Sequence, residues 1–219
     1  MCPGVAEKTK PGDTAAPLIP ESPTLPKLRQ AAADCKACDL WERGTQTVFG
    51  EGEEGSWVVF VGEQPGDRED LAGRPFVGPA GALLDKALEL AGIDRREVYV
   101  TNVVKHFKWE ASGKRRIHAK PNQKQINACR PWLDSELALL RPKVVVCLGA
   151  TAAQALLGKS FRVTKMRGEL LTDSPLAPFV LATVHPSSIL RAPDDEMRRL
   201  EMDRFIEDLK KVAEALRRS

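Results

Sequence analysis

Apolar positions along this chain fall into two kinds of run. Four short continuous stretches, Trp57 to Val61 (WVVFV), Val98 to Val104, Val144 to Leu148 (VVVCL) and Val180 to Val184, predict strands buried on both faces. Between and around them, apolar residues recur at helical spacing. Lys27 to Arg43 places Leu28, Ala31 and Ala32 on one side. Gly78 to Ala91 is stopped by Gly92. Gln123 to Leu140, the short Ala150 to Leu157 and a long charged closing stretch, Asp194 to Leu216, complete the set. Strand alternating with helix predicts an α/β domain of three layers, α-β-α, around a central, mainly parallel four-stranded sheet. Residues 1–26 are rich in Pro, Gly, Ser and Thr without either period, which predicts a flexible tail ahead of a single domain at 27–219. A length of 219 residues suffices for one sizeable core.

Charge changes this picture little. The net charge of +3 permits a nucleic-acid partner without demanding one. Its distribution says more, since Lys114, Arg115 and Arg116 cluster, as do Arg162, Lys165 and Arg167. No run approaches the roughly 20 apolar residues of a membrane span. The N-terminus lacks the apolar stretch of a secretory signal, so the expected location is a reducing cytoplasm, away from membranes. There a Cys35-Lys36-Ala37-Cys38 pair reads as metal-binding or redox before it reads as a disulfide.

In parallel sheets the site lies beyond the carboxyl ends of the strands. The segments there are Gly62-Glu63-Gln64-Pro65-Gly66, Lys105-His106, Gly149-Ala150-Thr151 and His185-Pro186-Ser187. Glu63 would project into the cleft, or else cap a helix. Phe76 suits stacking on a planar ligand, or plain core. Asn102, closing the second strand, offers a donor and an acceptor for one edge of a base. His185 at a strand end suits donation to an oxygen gaining negative charge. Ser187 and Ser188 suit a phosphate contact. The helix opening at Gly149 has free N–H groups. The stretch FKWEASGKRRIHAKP, residues 107–121, leaves the second strand as a loop overhanging this site. Its three cations would neutralise a nucleic-acid backbone, and His118 would face the reacting group as a neutral imidazole nucleophile.

Together, Gly62-Glu63-Gln64-Pro65-Gly66, Pro75-Phe76-Val77-Gly78-Pro79-Ala80-Gly81, Thr101-Asn102, Lys114-Arg115-Arg116-Ile117-His118 and His185-Pro186-Ser187 resemble the uracil-DNA glycosylase superfamily. Within it they look like the UdgX branch, related to the iron–sulfur family-four enzymes. GExPG with HPS marks the iron–sulfur group, and KRRIH marks UdgX; the resemblance covers about residues 28–212. It implies a uracil flipped out of DNA, stacked on Phe76 and read by Asn102, with Gln64 shaping the site. His185 stabilises the departing uracil anion, and Glu63 stabilises the cationic sugar or orients the attacking group. In the UdgX branch a histidine of the KRRIH loop, here His118, then attacks the sugar and leaves a stable protein–DNA adduct after one turnover. The implied partner is uracil-containing DNA, single-stranded included, met by a monomer.

The resemblance also implies a four-iron, four-sulfur cluster on Cys35, Cys38 and Cys129. Family-four enzymes carry a fourth Cys shortly after the Thr-Asn pair. This chain has Lys105-His106 there, so His106 is the expected fourth ligand. Cys147, inside an apolar strand, is the reserve candidate and Cys2 lies in the tail. Two other readings remain open from sequence: an ordinary turnover glycosylase, and a non-catalytic nucleic-acid-binding module.

Overall fold

The structure, a computed structural model, describes residues 13–218. Its central sheet contains β1 (Val58–Gly62), β2 (Val98–Asn102), β5 (Val144–Leu148), β6 (Leu170–Leu171) and β7 (Phe179–Thr183). They run in the order β2-β1-β5-β7-β6. The strands β2, β1, β5 and β7 are mutually parallel, as expected. The two-residue β6 pairs antiparallel with β7, so the sheet has five strands and is mixed rather than four-stranded. Two leucines give no period to read, which is why the edge strand is invisible in the sequence.

Strand alternation divides the apolar residues between two cores. Val59, Val61, Tyr99, Val145 and Cys147 pack with Leu28 of α1 (Leu25–Ala33), Trp132 and Leu133 of α4 (Gln123–Leu140) and Ala152 of α5 (Gly149–Leu157). Val58, Phe60, Val98, Val144 and Val146 pack with Leu84 and Leu88 of α3 (Pro79–Ala91), Ile189 of α7 (Pro186–Leu190) and Phe205 and Leu209 of α8 (Asp195–Arg218). Two short helices, α2 (Asp67–Ala72) and α6 (Val163–Met166), lie in connections. No helix among the described residues is long and apolar enough to cross a membrane.

The expected helix over 27–43 ends early. Its carbonyls at Ala32 and Ala33 accept from the Thr47 hydroxyl at 2.8 and 3.4 Å, and Cys35 and Cys38 follow in a turn before a 3-10 segment, Asp39–Glu42. Of the expected tail, residues 1–12, with Cys2, lie outside the described residues. Ala15 does not behave as tail: it is buried, and its N–H donates to Ala128 O at 2.8 Å.

The stretch 107–121 is not a loop but a hairpin. Strands β3 (Trp109–Ser112) and β4 (Arg115–His118) pair antiparallel, with Ser112 opposite Arg115 and Trp109 opposite His118. The two-residue turn places Gly113 at φ 59°, the left-handed region a tight hairpin turn asks of its glycine.

Candidate active site and cysteine cluster

Parallel register brings the strand ends level. Gly62 of β1 lies opposite Asn102 of β2, and Leu148 of β5 opposite Thr183 of β7. Beyond these ends opens a cavity of about 660 Å³ whose walls include Glu63, Phe76, Asn102, His118, Thr151 and His185. Three of the four segments picked out by the strand-end rule therefore converge here, and the hairpin joins them. The fourth, Lys105-His106, lies instead on the side of the cysteines.

Close packing shapes one wall. A Cβ at Gly62 would collide with Asn102 Oδ1 and stand 2.9 Å from Phe76 Cζ. A Cβ at Gly81 would run into the Phe76 backbone. Phe76 itself sits at φ 55°, a left-handed conformation that costs a non-glycine residue about 1–3 kcal/mol and recurs at functional sites. Its ring stacks near that of His185, with centroids 6.1 Å apart and planes at 28°. Nearby, the buried Glu69 accepts from the Gly78 N–H at 2.8 Å, a brace that no sequence signal announces.

His185 caps α7. Its Nδ1 accepts the Ser187 N–H at 3.2 Å and lies 2.8 Å from Ser187 Oγ. A backbone N–H only donates, so Nδ1 is the acceptor and the neutral ring carries its proton on Nε2. Burial pushes the imidazole down to about 4, partly opposed by the charge of Glu63, so the ring is neutral at physiological pH. Ser187, expected to meet a phosphate, lies in the cavity wall and its N–H fixes the tautomer of His185.

Glu63 is held at both oxygens. Oε2 accepts a short hydrogen bond from the Thr151 hydroxyl, and Oε1 lies 3.3 Å from His118 Nε2. Burial would raise this carboxyl, but the hydrogen bonds from His118 and Thr151 and the neighbouring imidazoles hold it below its ordinary value. It is an anion in the cavity wall. The sequence marks Thr151 only as part of a helix start with free N–H groups; its side chain is what contacts Glu63.

The hairpin carrying His118 is fastened at its foot. Gln64 Nε2 donates to Lys108 O and Ala119 O at 3.0 and 3.1 Å, and Gln64 Oε1 accepts the Lys108 N–H at 3.1 Å. The Gln64 amide, expected to shape the site, thus ties the two ends of the hairpin to the loop after β1. Arg116 supplies a second tie. Its guanidinium, expected from the cation run to meet the DNA backbone, bonds Asp67 and Asp70 on α2, each at 2.6 Å. Lys114 and Arg115 are exposed near the hairpin turn. The His118 side chain, 50% exposed, reaches the cavity wall with its ring 6.3 Å from that of Phe107.

Away from this cavity, near Lys105, lie the cysteines. Cys35 and Cys129 are buried and Cys38 is partly so; all are free thiols. They are close enough to influence each other's ionisation, although burial is what chiefly pushes Cys129 up to about 12. Trp132 Nε1–H donates to Cys35 Sγ at 3.3 Å and the Lys105 N–H to Cys129 Sγ at 3.2 Å. Among the described residues, no three His, Cys, Asp or Glu side chains converge on one metal ion. The neighbouring residue His106 is buried, its Nε2 3.2 Å from Thr47 Oγ1. That hydroxyl gives its only proton to Ala32 O, so it accepts from Nε2–H and leaves the Nδ1 lone pair free to bind. Three thiols, two of them accepting N–H···S bonds, are donors of the kind that fits an iron–sulfur group. Cys147 faces the core within β5, where burial pushes its thiol up to about 12.

Residues 49–210 match the family described as the uracil DNA glycosylase superfamily. A type-4 uracil-DNA glycosylase of Thermotoga maritima is 39% identical over 81% of this chain and 87% of its own. One from Sulfurisphaera tokodaii is 35% identical over 87% of this chain and 84% of its own. A type-5 uracil-DNA glycosylase of Pyrobaculum aerophilum is 29% identical over 87% and 86%.

Proposed function

The chain belongs to the uracil DNA glycosylase superfamily, and on that premise we propose that it excises uracil from DNA and then joins itself through His118 to the abasic sugar. The observation that carries the second half is the position of His118, with Nε2 3.3 Å from Glu63 Oε1 in the wall of the cavity shared with Asn102, Phe76 and His185.

In this reading the flipped uracil stacks on Phe76 and its edge meets the Asn102 amide. The C1′–N1 bond breaks, its electron pair leaves with uracil, and His185 Nε2–H donates to the carbonyl oxygen that gains charge. Glu63, kept anionic, stabilises the sugar cation. The imidazole lone pair of His118 forms the new N–C1′ bond; the proton on its other nitrogen passes to Glu63 or solvent, and the uracil anion takes a proton from water. Lys114 and Arg115 meet phosphates, single-stranded DNA is accepted, and the protein acts as a monomer in the cytoplasm.

Cys35, Cys38, Cys129 and His106 would hold a four-iron, four-sulfur cluster, which supplies a cross-link between the turn after α1, α4 and the segment after β2. Purified protein is expected to be brown, with broad visible absorbance lost in Cys35→Ser; a colourless zinc protein would refute this.

The direct test of function mixes protein with uracil-containing single-stranded DNA, then measures free uracil and runs a denaturing gel. A heat-stable shifted band together with released uracil is expected. Uracil without a band leaves a turnover glycosylase, the reading that the names of the type-4 relatives favour. Salt-sensitive binding with no uracil leaves a binding module. The pocket wall gives a further prediction. In Gly62→Ala the new methyl must displace Asn102 or Phe76, and uracil release is expected to fall by about 100-fold, since a misplacement of about 1 Å costs that much. Circular dichroism of the variant should match the parent.

A further inference from the structure

Next to the main cavity lies a second one of about 220 Å³, walled by Lys120, Gln123, Ile126, Thr151, Gln154 and Lys159. The two are continuous at Lys120 and Thr151, which line both. Lys120 follows His118 by two residues and precedes the buried Pro121 and the Asn122 cap of α4, so the backbone on either side of it is anchored. Lys159 faces it from beyond the C-terminus of α5. Both lysines are exposed, and among the described residues neither forms an ion pair. Gln154 is held by Nε2 donating to Phe161 O at 3.2 Å, which leaves its carbonyl oxygen as an acceptor. Ile126 gives an apolar surface.

Two lysines without ion pairs, amide groups, the apolar Pro121, Ile126 and Ala155, and a direct opening to the uracil cavity match the chemistry of one nucleotide: an anionic phosphate, a polar base edge and a flat apolar face. We propose that this second cavity binds the nucleotide adjacent to the uracil on the same strand, with Lys120 and Lys159 on its phosphodiester. The inference rests on the uracil-excising reading. It makes the shared wall at Lys120 and Thr151 the point where the strand bends from one cavity to the next, and gives the protein a footprint beyond the flipped base.

The test compares wild type, the Lys120→Ala/Lys159→Ala double variant and Lys86→Ala, a lysine exposed on α3. In the double variant the half-saturating DNA concentration is expected to rise about 10-fold. Its slope of log affinity against log salt should fall by about 0.7 for each phosphate left without its lysine. Replacing one phosphate beside deoxyuridine, on the 5′ or the 3′ side, with a neutral methylphosphonate should reproduce the loss in wild type and add nothing in the double variant. The side on which this happens gives the strand direction. A double variant indistinguishable from Lys86→Ala, or methylphosphonate effects that add fully on both sides, overturns the proposal. Failure of the excision reading looks different, because wild type would then release no uracil; the second cavity is in that case judged by the same affinity comparison using fluorescence anisotropy.

Discussion

In His118→Ala the denaturation-resistant protein–DNA band is expected to disappear at every protein concentration, while uracil is still released. The substitution leaves the groups that assist bond cleavage in place. Glu63 keeps its Thr151 hydrogen bond, and His185 keeps the Ser187 N–H that fixes its tautomer. The variant lacks only the tethered imidazole. A nucleophile held against a reacting carbon acts at an effective concentration of up to about 10⁵–10⁸ M, against about 55 M for water. Removing it therefore changes the fate of the sugar cation from capture by protein to capture by water. The adduct yield should fall by at least about 1000-fold and the protein should begin to turn over. A persistent band would mean that another side chain attacks. Uracil release falling as far as the band would mean that His118 is needed for bond cleavage itself, and the two-step scheme would fail.

Much of this arrangement is legible in the residues. The four parallel strands and α4 can be read because continuous apolar runs and a long 3.6-residue period leave little ambiguity. The strand-end rule then selects Glu63, Asn102, Thr151 and His185, because a parallel sheet leaves its ligand site at one edge. What escapes are elements too short to have a period, β6, α2 and α7, and the β3–β4 hairpin. The hairpin has a signal, Gly113 between Ser112 and Lys114, but three cations in a row obscure it.

Side-chain partners stay hidden in the sequence where only the fold supplies them. Arg116 reads as one of three equivalent cations, yet it alone meets Asp67 and Asp70, 49 and 46 residues away. Gln64 reads as a residue that shapes the site, and the hydrogen bonds at both ends of its amide close the hairpin foot. Ser187 reads as a phosphate contact, and its N–H also holds an imidazole two residues back. Chemistry carried by the residue type is visible in a sequence; chemistry decided by which neighbour arrives is not.

Loss of the Glu136 carboxylate, in Glu136→Ala, should destabilise the fold by about 3–5 kcal/mol, the range typical of breaking a buried pair at one partner. Nothing in a long amphipathic helix marks Glu136 as special, yet it is 0% exposed and lies 2.5 Å from Lys105 Nζ, itself 1% exposed. Its two oxygens also accept from Tyr99 OH, Thr101 Oγ1 and the Gly50 N–H. Alanine would leave an ammonium, a phenol and an amide N–H short of an acceptor in a buried interior, and domains of this kind have only about 5–15 kcal/mol in total. The denaturant midpoint should drop steeply with an unchanged slope. Function should suffer in a variant that still folds, because Lys105 Nζ also donates to Asn102 O at 2.9 Å while the Lys105 N–H reaches Cys129 Sγ. The pair thus stands between the residue proposed to read uracil and the cysteine cluster. Replacing both partners, Lys105→Met with Glu136→Leu, removes the stranded charge and should recover part of the stability, the Tyr99 hydroxyl and Gly50 N–H still lacking an acceptor, without recovering uracil release. A loss below about 1 kcal/mol in Glu136→Ala would mean that water reaches the pair, and that Asn102 is positioned by its strand register alone.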